Sequence, residues 1–530
     1  MSMVKTPFCT ARKNILSIVE RIFSYKLISI IALMSAFLGV LLMCIRIWYA
    51  CSFSEPIQST TSGWEAESLY SMWKYVNGMD IYTDKHAVPY AASVYNWLYY
   101  QFYGIIIRQT LSLFSLSAWW IPTIGRFITL AGVLVGCCVC YVSFRKMLTT
   151  KGSSITLIVL SFSLLVFIGP LVGFWGFTVR PDVWSFTLEV IGVFLFWKYY
   201  SQSKLKAVLF SAFALYCSWA FKQSGVSAVV AISLFLMLKK EFKPCSVFVV
   251  LMICFYGITF LLGDKEYFNT VLYHGEREIS SEVAIKYLLM FARKSIPATI
   301  TVCSSLVVIL SCKKLRRGIL ENDIFLFSVI FLLTTIIIVV PASMMEGAAD
   351  NYYFIVIYSL SLMAVILVDR ISEYKLNESE QGEKNLWAYF GFLIFGWTVH
   401  AVALMMVLTG HARVLSVYPK HCNTVRAQRF IERLPKPLFV DDKYLSLPWM
   451  NPSVPYVFTN WSYKKDRESG VLFKDGGIGG LIKRDHYKTL LLGGKVGFFD
   501  GADLSEYVVW PVKYEGFYVY VRKGIVANPY

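Results

Sequence analysis

The sequence predicts an all-α polytopic membrane protein of about eleven transmembrane helices, followed by a small α/β extracytoplasmic domain. Three observations predict it. Hydrophobic residues make up 56% of the 530 residues and charged residues only 16%, with a mean hydropathy of +0.55, which is more apolar surface than a soluble chain can bury. Apolar runs of roughly 20 residues, the length needed to cross a bilayer, recur along the chain. Lys and Arg collect in short clusters at alternate ends of those runs, as the positive-inside rule requires.

The same composition excludes intrinsic disorder, which needs low hydrophobicity, and a secreted disulfide scaffold, which needs dense cysteine in a short chain. Most of the 12 cysteines fall inside apolar runs, as Cys137, Cys138 and Cys140 do, where a thiol acts as a small hydrophobe. The net charge of +17 resides in clusters flanking the apolar runs, so no nucleic-acid partner is expected. The six histidines show no ligand spacing.

Taken in order, residues 1–26 hold Lys5, Arg12, Lys13, Arg21 and Lys26 and read as a cytoplasmic segment before a first span, Leu27 to Tyr49. An outer loop covers 50–125. Within it, Val94 to Ser117 is rich in Tyr, Trp and Leu but broken by Asn96, Gln101, Arg108 and Gln109. Were it a span, every later basic cluster would be inverted, so it reads as an aromatic helix lying in the interface. Ten further spans follow at 126–144, 154–174, 182–200, 205–222, 225–238, 245–263, 296–312, 323–341, 353–369 and 387–409. They put Lys198/Lys204/Lys206, Lys239/Lys240/Lys243, Lys313/Lys314/Arg316/Arg317 and Arg370/Lys375/Lys384 inside. The membrane domain is thus 27–409, and residues 410–530 lie outside. There PLFVDD, YVFTN, KTLLLGG, EYVVWPVKY and FYVYVRKG read as strands, and Asn423 to Leu434 and Gly480 to Tyr487 as helices.

Ionisable residues at membrane depth are costly and usually functional. The topology gathers several on the outer side. Glu65 and Glu67 begin a helical stretch in the first loop, and at i and i+2 they point about 200° apart, so at most one can face a shared site. Dipole-favoured helix-start carboxylates are the structural alternative. Arg180 precedes Pro181, and Asp182 opens a span as its N-cap, sharing a face with Ser185 and Glu189; the structural alternative is an ion pair with a neighbouring cation. Lys222 and Gln223 close another span, where a snorkelling lysine is the plain reading. Glu346, Asp350 and Asn351 lie in a tight connection that can be an ordinary polar turn. The loop from Asp264 to Pro297 carries His274, Glu276, Arg277 and Glu278 and then an amphipathic helix over Val283 to Phe291, placed on the membrane surface.

The order of these features resembles the GT-C superfamily of glycosyltransferases that use polyprenyl-phosphate sugars, the group of protein mannosyltransferases and lipid A aminoarabinose transferases. It rests on Glu65, Trp73, Asn77, Gly78, Ile81 and Tyr82, then PYAASVYNWLYYQFYG, RPD at Arg180 to Asp182, FKQSG at Phe221 to Gly225, and GAADNYY before a late span. One departure stands out. The family's first loop carries an Asp-Glu pair; Glu65 falls on its second member and Trp64 on the first. Either Glu65 or Glu67 then substitutes for the aspartate, or the chain is a divergent, inactive member.

The resemblance implies inverting transfer of a hexosyl or pentosyl unit from a polyprenyl-phosphate-linked sugar to a glycan, lipid or protein acceptor on the extracytoplasmic face. A bacterial inner membrane is the implied location. Catalytic carboxylates would be Glu65 and Glu67, with Glu65 favoured by its spacing to Trp73 and Gly78. Arg180 and Lys222 would bind the donor phosphate, supported by Asp182, Glu189, Gln223, Asp350 and Asn351. No metal ligands are assigned, and a divalent-metal requirement stays open. The competing reading, a lipid or solute transporter or flippase, would use midplane charges such as Glu189 and repeated halves. A receptor or scaffold is a third reading, with no feature in its favour.

Overall fold

The computed structural model describes residues 25–51, 65–272, 279–345, 347–373, 380–409, 421–442, 445–452, 460–493, 502–514 and 517–525. Glu346, the 273–278 stretch and most of YVFTN lie outside them. The chain runs α1 (Tyr25–Cys51), α2 (Ala66–Val76), α3 (Trp97–Leu113), α4 (Ile121–Met147), α5 (Ser153–Phe167), α6 (Asp182–Tyr200), α7 (Lys204–Phe221), α8 (Ser227–Leu238) and α9 (Phe242–Leu262). It continues with α10 (Ser281–Lys294), α11 (Ile296–Ser311), α12 (Lys313–Leu320), α13 (Asp323–Ala342), α14 (Phe354–Glu373) and α15 (Glu380–Thr409).

Every apolar run expected to span contains a helix, but the eleven are not equal. Seven of the described helices are long and apolar enough to cross a membrane, or eight if the bent pair α10–α11 counts as one. Helices α5 and α8 have 15 and 12 residues, shorter than the roughly 17 residues that a crossing needs. Gly169-Pro170 follows α5, because proline withholds a donor and constrains the residue before it. The chain there leaves the helix and returns through a short 3-10 turn, Gly173–Phe177. Helix α6 fails on polarity, since it carries Asp182, Glu189 and Lys198.

The bundle is built around α14, which is buried along almost its whole length. Helices α6 and α7 form a close antiparallel hairpin, and α4 packs beside α6. Local signals set the ends: Ser203 caps α7 by accepting the Lys206 N–H at 3.4 Å, and Asn322 caps α13 by accepting the Phe325 N–H at 2.9 Å. Helix α10 meets α11 at 79°. It buries Ala284 and Phe291 and exposes Ile285, Leu288 and Leu289.

The C-terminal region contains α16 (His421–Arg433), β1 (Leu438–Val440), α17 (Asn460–Glu468), α18 (Gly477–Lys483), β2 (Thr489–Leu492), β3 (Tyr507–Tyr514) and β4 (Phe517–Arg522). The sheet order is β1-β2-β4-β3. Strands β1 and β2 are parallel, Leu438 opposite Thr489, and the other pairs are antiparallel. The register shifts between Val509 and Lys513 in edge strand β3, around Pro511, whose missing N–H is tolerated at an edge irregularity. The helix expected over Gly480 to Tyr487 starts and ends earlier, and Asn460 opens a helix where a strand was expected to close.

Apolar and ionic contacts join this region to the first loop. Tyr90 is fully buried beside Tyr463 and Phe473 and donates to the Lys474 carbonyl at 2.9 Å. Lys85 pairs with Asp466 at 3.0 Å and His86 Nε2 lies 3.1 Å from the same carboxylate. Leu447, Trp449 and Met450 meanwhile join the hydrophobic cluster that α3 forms with its neighbours, which includes Tyr95, Tyr99 and Val179.

Candidate functional site

One end of the bundle collects a buried polar network from segments far apart in sequence. Asp182 is at its centre. Its Oδ2 accepts from Arg180 Nε at 2.8 Å and its Oδ1 from Lys222 Nζ at 2.5 Å. Asn351 Nδ2 donates to the same Oδ1. The sequence reading of Asp182 as an N-cap is therefore corrected: Pro181 occupies that position and makes no side-chain cap bond, and Asp182 is the first helical residue. Two cations offer its carboxylate more than a backbone N–H would.

The cations are held from behind. Arg180 Cζ lies 5.3 Å from the Tyr95 ring centre and 5.0 Å from that of Trp175, and Lys222 Nζ lies 4.8 Å from that of Tyr352. Trp175 Nε1 donates to Asp350 Oδ1 at 2.9 Å, and Lys294 Nζ donates to Asp350 Oδ2 at 2.5 Å. Asp350 and Asn351 thus both enter the network, beyond what an ordinary polar turn requires. Gln223 does not. Its amide donates to the Val94 and Val271 carbonyls at 2.8 and 3.1 Å and fixes two loops.

Glu189 lies two turns along α6 from Asp182, 3% exposed. Its Oε1 accepts the Ala228 N–H at the start of α8, at 2.8 Å. A cavity of about 120 Å³ connects it with Asp182, Ser185, Lys222 and Asn351. Close helix approach shapes the wall: a Cβ on Gly225 would lie 2.4 Å from Ser218 Oγ.

The two first-loop carboxylates part company, as their spacing requires. Glu65 is fully buried and turns to Arg126, also fully buried, with Nε to Oε1 at 3.0 Å and NH2 to Oε2 at 2.9 Å. Its Oε1 also accepts the Val179 N–H at 2.8 Å. The Thr178–Arg180 backbone is gripped further by Thr129 Oγ1 donating to the Thr178 carbonyl at 2.8 Å and Tyr99 OH to the Val179 carbonyl at 3.2 Å. Glycine at 125 permits this, since a Cβ there would come within 2.8 Å of Val179. Glu67 sits on the other side of α2, 8% exposed, where its charge acts on Arg180, Tyr95 and Tyr100.

On the same helix Lys74 is 3% exposed. Its Nζ donates to the Ile81 carbonyl at 2.6 Å and Thr83 Oγ1 at 3.0 Å, pinning the turn that leaves α2. Burial lowers its pKa to about 8, against the pull of Asp80.

Several participants escaped the sequence reading. Arg126 was taken only as the first residue of an apolar run; an arginine at that boundary is itself a signal of a buried partner. Trp175 carried no local signature, Lys294 read as a cation of the membrane-surface helix rather than a partner of Asp350, and Tyr95 stood in the aromatic motif with no sign of its contact with Arg180. Among the described residues, no group of three or more His, Cys, Asp or Glu could hold a metal ion.

No family model and no curated protein matches the sequence. Solved structures do match in fold. ArnT from Cupriavidus metallidurans bound to undecaprenyl phosphate superposes with a TM-score of 0.53 at 12% identity, covering 91% of this chain and 97% of that one. The Archaeoglobus fulgidus oligosaccharyltransferase tethered with an acceptor peptide gives a TM-score of 0.54 at 11% identity, over 89% of this chain and 70% of that one. The same archaeal enzyme, AglB, in complex with an inhibitory peptide and a dolichol-phosphate gives 0.52 at 11%, over 87% and 68%. Both neighbours are GT-C enzymes, and the chain described here is a multi-pass membrane protein with the GT-C fold.

Proposed function

We propose that the protein is an integral membrane glycosyltransferase that moves a sugar from a polyprenyl-phosphate carrier to an acceptor hydroxyl or amide on the extracytoplasmic face, with inversion. The observation that carries this reading is the convergence of Arg180 and Lys222 on one buried carboxylate, Asp182, beside a cavity. Two cations fixed side by side in a water-poor site suit a departing phosphate. The fold neighbours' lipid phosphates, undecaprenyl phosphate and dolichol-phosphate, support the carrier class.

In this reading the acceptor atom attacks the anomeric carbon, the bond from that carbon to the phosphate oxygen breaks, and Arg180 and Lys222 meet the charge on the leaving phosphate. A base takes the acceptor proton, a step worth about 10²–10⁴ in rate. The spacing argument favoured Glu65 for it, but Arg126 and the Val179 N–H engage both Glu65 oxygens. We assign the base to Glu67 and give Glu65 a positioning role behind Arg180. The 27–409 segment would hold the chemistry, with its N-terminus cytoplasmic, and residues 410–530 would cover the acceptor side.

The test is to reconstitute purified protein in lipid nanodiscs with a panel of polyprenyl-phosphate hexoses and pentoses, and to measure binding and turnover. Saturable binding that depends on Arg180 and Lys222 supports the reading. Failure of every polyprenyl phosphate to bind overturns it.

A further inference from the structure

We propose that the cavity between α6, the α7–α8 turn, α13 and α14 receives the sugar ring of the donor, and that Glu189 and Asn351 accept hydrogen bonds from that ring's hydroxyl or ammonium groups. The proposal rests on Arg180 and Lys222 holding the donor phosphate. Its basis is the set of acceptors that the fold leaves open next to them.

The cavity begins at Asp182 and Lys222 and ends at Glu189. Seven residues along a helix make about 10 Å, so Glu189 lies one small-group length beyond the cations. The free space, about 120 Å³, is well below the roughly 300–1,000 Å³ of sites that enclose whole drug-sized ligands. It suits a single ring rather than a prenyl chain or an oligosaccharide.

Polarity narrows the occupant further. Glu189 Oε1 is taken by the Ala228 N–H, and among the described residues no donor reaches its second oxygen. Asn351 uses its amide nitrogen on Asp182, and its Oδ1 is buried with no donor among the described residues. Buried acceptors are normally satisfied, and those that are not point to a missing partner. A prenyl chain brings no hydrogen-bond donors, and an ionised phosphate brings only acceptors. The ring of a sugar brings donors, and it is attached to the phosphate itself. Val339 and Phe354 supply apolar wall for the C–H face of that ring.

The experiment compares sugar-free polyprenyl phosphate with a neutral hexose and an amino-sugar derivative of the same lipid, all binding to the intact protein in nanodiscs. Glu189→Gln removes charge but keeps an acceptor; Ala342→Leu fills the cavity from its apolar side. Both variants are expected to bind sugar-free lipid within about twofold of wild type. Ala342→Leu should weaken both sugar-bearing lipids by about tenfold or more. Glu189→Gln should weaken by about tenfold whichever sugar is recognised through charge, as expected for a charge-assisted bond, which identifies ammonium; a smaller loss on the neutral sugar, with Glu189→Ala weakening it by tenfold, identifies hydroxyl. Equal loss on sugar-free and sugar-bearing lipids, or no loss in any variant, overturns the sugar assignment while leaving the phosphate site standing. If wild type fails to bind even the sugar-free lipid, the phosphate site falls and this proposal with it.

Discussion

Glu65 and Arg126 face each other across α2 and α4 with both side chains fully buried and two parallel hydrogen bonds between them. Losing one partner leaves the other charge stranded, which typically costs about 3–5 kcal/mol. Arg126→Met should therefore lower the thermal midpoint and the yield of folded protein. Adding Glu65→Leu should recover much of that loss, because a matched apolar pair is often neutral. A double variant no more stable than Arg126→Met alone would contradict the account.

Glu67→Gln should behave in the opposite way. With the acceptor's proton no longer accepted, turnover should fall by about two to four orders of magnitude, while thermal stability and donor binding stay near wild type. Normal turnover in this variant would return the base role to another group.

For the phosphate site, Lys222→Met should weaken sugar-free polyprenyl phosphate by about ten- to a hundredfold, the range of one charge-assisted hydrogen bond. Asp182 would keep Arg180 and Asn351 as partners, so the fold should survive. Unchanged lipid affinity in Lys222→Met and Arg180→Ala would reduce the network to a structural ion cluster.

Asp441 offers a pH signature outside the membrane helices. Burial raises its carboxyl to about 6, the Gly493 N–H opposing and neighbouring Asp442 adding to the rise. Its folded form binds more protons than its unfolded form between roughly pH 4 and 6, so stability falls as pH climbs through that window and stays reduced above it. Asp441→Asn should remove that slope and raise the melting temperature at pH 7.5, with turnover within about twofold of wild type. Melting curves of the intact protein across pH 4 to 8 check this; an unchanged slope would contradict it.

Membrane orientation is open to chemical labelling. A cysteine placed at Ser469 should react with an impermeant reagent from outside the cell, and one placed at Ser379 only after permeabilisation. The reverse pattern would invert the whole scheme.

Helix positions were legible because apolar runs are a local property, and so was the opposition of Glu65 and Glu67, which follows from 100° per residue. The meeting of Arg180, Asp182 and Lys222 was legible through parity, since alternating spans return their ends to one face. Which partner each group chooses was not. Arg126 claims Glu65 because Gly125 lets Val179 approach α4, and Asp350 finds Trp175 and Lys294 because α10 ends against the turn before α14. Those are contacts across more than fifty residues, with no periodicity to reveal them. The early end of α5 at Phe167 was not legible either, because hydropathy reports an apolar stretch and says little about where backbone geometry breaks it.

Tyr90 sits in the C-terminal region's own core, and Lys85 and His86 contact Asp466, while their stretch remains continuous with the helix that carries Glu67. Severing the chain after the last membrane helix would strip the cover from Tyr90 and leave a bare aromatic socket on the separated fragment. The two pieces should therefore be poor proteins apart yet able to find each other, and expressing them as a split pair should restore what neither half retains alone.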